Sequence, residues 1–199
     1  MARSHCVRIG RSEGNRYCPA VAVSGRAGPV TVDLTSNEGG EMIFLVYYAI
    51  GWIVGLVVAF ATGSLKDVAS AAHTFLLYHL TVTIGLTGIL GAYGHIFMGD
   101  RVARNIGWPI GSLFQVELGC CSLGLGLLGV MCSWYRGEFW LATIVFSTVF
   151  MVGAALVHVK EMIQKANFNP GNAITTIPDF LIPITLVILW FLAGRRAFH

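Results

Sequence analysis

Three side chains with acid–base chemistry, His95, Glu117 and His158, stand near the ends of three different apolar stretches. Imidazole and carboxylate groups brought together can donate to a carbonyl and pass a proton. As a His₂Glu set they would also suit zinc or iron, although loose spacing across three segments is weak support for a metal. Glu117 sits in the run Trp108 to Cys121, WPIGSLFQVELGCC, just inside a long apolar segment. A carboxylate in such a place is costly, so it usually faces the protein interior and usually has a partner.

The segments that must position these groups are those of a membrane protein. Of 199 residues, 55% are hydrophobic and only 12% are charged, about half the charged share of a soluble domain. The mean hydropathy is +0.71. A spanning helix needs about 20 mostly apolar residues, and five stretches qualify: 42–63, 70–98, 111–133, 138–158 and 177–194. The expected fold is all-α, a polytopic membrane helix bundle with five transmembrane helices, in contact with the lipid bilayer. No basic stripe or interleaved aromatics point to nucleic acid. Five scattered cysteines, Cys6, Cys18, Cys120, Cys121 and Cys132, include no CxxC and give no disulfide framework.

Glycine-rich rows mark close helix packing. Gly51, Gly55, Ala59 and Gly63 recur every fourth residue, and Gly85, Gly88, Gly91 and Gly94 every third. Small residues at such spacing let backbones approach in lipid, within the chain or against other membrane subunits. Gly124, Gly126 and Gly129 spell GxGxxG, but inside a membrane segment without a preceding strand this is no dinucleotide fingerprint.

Five alternating helices bring the ends of segments two and four and the starts of three and five to one membrane face. His95, Glu117 and His158 then share a depth, with Glu117 roughly 9 Å inside. Gln115 and Asp179 lie at similar or shallower depth, and Arg101 and Arg104 cap the same face. Glu117 lines up with Cys120, Cys121 and Gly124 as an expected inner face, with Gln115 on the other side. Plainer roles stand beside the functional ones. Glu117 can be a packing device paired with Arg101 or Arg104, and His158 an interfacial residue bonded to a headgroup or carbonyl. Trp108 reads as an interfacial belt residue. His79, about 160° around the helix from His95, cannot share its site, and no histidine at matching depth faces it for bis-His haem ligation. The turn signal Asn169-Pro170-Gly171-Asn172 interrupts the last connection.

Residues 1–41 have little apolar periodicity and no signal-peptide core. They read as a disordered or non-native tail before a membrane domain at 42–199. The run Asn37 to Met42, NEGGEM, resembles a translated ribosome-binding sequence, which would place the start at Met42. Basic loop residues tie four to four across the membrane, and the tail arginines favour a cytoplasmic N-terminal side.

From Tyr78 onward the chain resembles the DoxX-like group of small integral membrane proteins. The resemblance rests on Gly91-Ala92-Tyr93-Gly94-His95, Val102-Ala103, Gly107-Trp108-Pro109, Glu117-Leu118-Gly119, Leu127-Leu128-Gly129 and the run Gly153 to His158. It covers about residues 78–195. It implies a four-helix core, here with an extra helix in front and a longer fourth connection. It also implies a link to quinone-coupled sulfur oxidation and membrane oxidoreductase complexes.

The expectation is therefore a multi-pass protein of the cell membrane that binds a quinone or small redox partner at one face. His95 and His158 would be donors there and Glu117 the proton acceptor. Gln115, Arg101, Arg104 and Asp179 complete the candidate set. A structural or assembly subunit and a small proton-coupled transporter are the alternatives.

Overall fold

The structure is a computed structural model that describes residues 42–194 and Ala197. The expectations for residues 1–41 lie outside the described residues. Within them every element is helical: α1 (Ile43–Thr62), α2 (Val68–Phe97), α3 (Gly99–Ile106), α4 (Phe114–Met131), α5 (Glu138–Lys165), α6 (Pro170–Ala173) and α7 (Thr176–Ala193). Five helices are long and apolar enough to cross a membrane, α6 and α7 together counting as the fifth. The chain is thus a polytopic helical membrane protein.

Helix α2 is the hub, packed by α1, α4 and α7, while α5 lies against α7. Small residues decide which faces meet. From α1 only Gly51, Gly55 and Ala59 are buried, and a Cβ on Gly55 would lie 2.6 Å from the Phe75 ring. From α4 the buried residues are Gln115, Gly119, Ser122, Leu125, Gly126 and Gly129. Lipid offers no hydrophobic drive between helices, so close backbone contact supplies the van der Waals attraction.

Mid-span, α2 widens to a π-helix over His79–Leu86, which the hydrophobic pattern does not announce. His79 is fully buried. Its Nδ1 lies 2.9 Å from Thr83 Oγ1, and that hydroxyl donates to the Tyr47 carbonyl of α1. The Tyr48 and Trp52 rings close around the imidazole. At the end of the bundle opposite His95, Trp140 is fully buried, donates to the Cys132 carbonyl at 2.9 Å and stacks on His73.

Helix α5 continues to Lys165, seven residues past His158, the helical extension expected through Lys160, Glu161 and Lys165. One boundary differs from expectation. The Asn169-Pro170-Gly171-Asn172 run opens a helix: Pro170 takes the first helical position, where its missing N–H costs nothing.

Candidate functional site

The residues expected to converge form two clusters at one end of the bundle, and Glu117 belongs to neither. The first lies where α2 ends and α4 begins. His95, in the last turn of α2, sets its Nδ1 2.7 Å from Gln115 Oε1. Gln115 is nearly fully buried and His95 partly so. Above them runs the amphipathic helix α3, with Ala103 and Ile106 buried and Asp100, Arg101 and Arg104 exposed. A cleft of about 460 Å³ opens here, lined by His95, Gln115, Asp100, Arg101, Arg104 and Ser112 among others. The Asp100 carboxylate accepts the Gly111 N–H at 2.7 Å, tying the loop before α4 to α3. Neither arginine forms an ion pair among the described residues.

The second cluster centres on His158 in α5. Its Nδ1 lies 2.7 Å from Asn172 Oδ1. The Asn172 amide nitrogen donates to the carbonyls of His158, at 3.1 Å, and Asn167, at 2.9 Å. With the nitrogen committed to two acceptors, Oδ1 accepts, so the His158 proton sits on Nδ1. Nε2 then faces Asp179 Oδ2 at 3.9 Å, an ion pair when the imidazole is protonated. Trp108 stacks on the His158 ring with centroids 5.9 Å apart. Asn167 Nδ2 donates to the Ile106 carbonyl at 2.8 Å, joining the same network to the end of α3.

The inward placement of Glu117 is corrected. Its side chain is exposed, and no hydrogen bond or ion pair reaches it among the described residues. Depth along the helix brought it level with the histidines but said nothing of rotation. Gly119, Ser122, Gly126 and Gly129 set the rotation, because they are the residues small enough to meet α2. Gln115 stands four residues before Gly119 on that face, whereas Glu117 lies about 200° from Gln115, on the outer face with Cys120 and Gly124, both exposed. Gln115 is therefore the polar group that α4 brings to His95. The packing pair of Glu117 with Arg101 or Arg104 is absent among the described residues as well.

Arg101 and Arg104 rim the first cleft, and Asp179 joins His158. No group of three His, Cys, Asp or Glu able to hold a metal ion occurs among the described residues. Sequence reasoning missed Asn172 and Asn167, whose role as carbonyl partners leaves no periodic signal. Trp108 was legible as an aromatic at the membrane face but not as the stacking partner of His158.

No curated protein and no solved structure matches the chain. The model of a family of unknown function, DUF6790, matches residues 41–198. Spanning all five helices and both polar clusters, that match shows that the chain belongs to this family.

Proposed function

We propose that this multi-pass protein of the cell membrane holds the polar head of a quinone or another small redox-active amphiphile in the cleft between α2, α3 and α4. The observation that carries the reading is the His95–Gln115 pair, 2.7 Å apart at the wall of a cleft rimmed by two arginines that have no carboxylate partner among the described residues. Ligand sites combine apolar walls with a few placed polar groups. Here Ile96, Phe97, Met98 and Val116 supply the apolar part. The choice of a quinone as ligand extends to this chain what its sequence resemblance to DoxX-like proteins implies. Glu117 plays no part, and the acid–base group is His95.

The test is equilibrium binding of decylbenzoquinone and decylhydroquinone to the purified, detergent-solubilised chain. His95→Ala and Gln115→Ala should each weaken the better-bound form about tenfold, the loss expected for one hydrogen bond. Equal affinity in the native chain and both variants would refute the site.

A structural or assembly role is favoured for the second cluster only. The Asn172 side chain is fully buried and all its polar atoms are bonded. Such a network holds α3, α5 and α7 in register.

A further inference from the structure

Resting on that reading of the cleft, we propose that the site selects a ring bearing a hydroxyl group, a phenol or hydroquinone, over the bare carbonyl of a quinone or an ether. A neutral imidazole has one N–H and one lone pair. Gln115 presents its amide oxygen, an acceptor, to His95 Nδ1 at 2.7 Å. The proton therefore sits on Nδ1, and Nε2, the nitrogen left for a ligand, is a lone pair. A carbonyl oxygen set against that lone pair meets another lone pair, whereas a hydroxyl donates to it.

The rim points the same way. Arg101 and Arg104 line the cleft and can only donate. Asp100, the carboxylate beside them among the described residues, already accepts the Gly111 N–H. An oxygen that gives up its hydrogen to His95 gains negative charge, and guanidinium groups bond such an oxygen more strongly than a neutral one. The fixed acceptor and two guanidinium groups with no ion-pair partner among the described residues thus describe a ligand that brings an acidic hydroxyl on an apolar body. The inference concerns binding alone and requires no electron transfer.

Calorimetric titration of the full chain in detergent at about pH 8, above the ordinary imidazole range, provides the test. The probes are decylhydroquinone, its dimethyl ether and decylbenzoquinone. The hydroquinone should bind about tenfold tighter than the other two, the worth of one hydrogen bond. Gln115→Leu removes the acceptor that holds the proton on Nδ1, so Nε2 can also donate and the preference for the hydroquinone should vanish. A dimethyl ether that binds as well as the hydroquinone, or a benzoquinone that binds more tightly, overturns the selectivity and leaves the cleft as a ligand site. Failure of all three probes to bind overturns the cleft reading itself and this inference with it.

Discussion

Gly88 of α2 and Gly126 of α4 meet backbone to backbone. A Cβ on Gly88 would lie 2.6 Å from both the Cα and the nitrogen of Gly126, and one on Gly126 would lie 2.6 Å from the Ile89 nitrogen. No flexible side chain stands between them to give way. The contact fixes how α4 is rotated, and so which of its polar residues faces His95.

Substitution at this contact should be costly in proportion to what must move. Gly126→Ala forces two backbones apart and should destabilise the bundle by about 1–3 kcal/mol, the range for overpacking. Gly124→Ala, two residues away, meets nothing within 4 Å and should be neutral within about 0.5 kcal/mol. Unfolding of both variants in mixed detergent measures the difference. Equal stabilities would mean that the two helices do not touch along this row.

Asn172 makes a different kind of contact, in which polar groups satisfy one another away from water. Asn172→Leu keeps the volume but strands His158 Nδ1 and the Asn167 carbonyl, and takes from the His158 carbonyl the bond it makes beyond its own helix. Each stranded group costs about 1–3 kcal/mol, so this variant should lose more stability than Asn167→Ala, whose bond to the Ile106 carbonyl is only partly buried. The same unfolding assay ranks the two, and the reverse order would show that Asn172 is not the hub.

Much of this architecture was legible in the sequence. Five apolar runs gave five helices because lipid leaves the backbone no other way to bond along a spanning segment. The glycine rows gave the packing faces, with Gly51 and Gly55 of α1 buried against α2. The site was legible in depth but not in rotation. In the sequence His95 and Gln115 share a depth, but the larger desolvation cost of the Glu117 carboxylate argues for turning it inward, which puts Gln115 on the far side of the helix. The structure pairs Gln115 with His95 instead. Read together, Gln115, Gly119, Ser122, Gly126 and Gly129 contain the answer, since only the small-residue face can press on α2. The Asn167 and Asn172 network was not legible: it joins positions far apart in sequence through carbonyl oxygens, which every residue carries.

The alternation of the helices is open to chemical test. Ser112, before α4, and Ser133, after it, are both exposed and should lie on opposite faces of the membrane. In a chain whose five cysteines are replaced by serine, Ser112→Cys and Ser133→Cys should label from opposite sides of sealed vesicles with an impermeant maleimide. Labelling of both from one side would remove α4 from the set of spanning helices.

The two polar residues at the start of α4 should separate cleanly. Gln115 is almost fully buried against His95, and Glu117 is exposed without a partner among the described residues. Glu117→Gln should therefore leave stability within about 0.5 kcal/mol of the native chain, as for surface positions generally. It should also leave ligand affinity unchanged. Gln115→Ala deletes the partner of a partly buried imidazole and should weaken hydroquinone binding about tenfold. Gly99 offers a third handle, because a Cβ there would lie 3.0 Å from the Gln115 Cβ. Gly99→Ala should push Gln115 off His95 and reproduce part of the Gln115→Ala loss without removing any polar atom. Binding curves for the three variants, set beside their unfolding midpoints, decide the matter. Loss of binding in Glu117→Gln with retention in Gln115→Ala would mean that α4 presents its other face to the ligand, and the site would have to be rebuilt around the carboxylate.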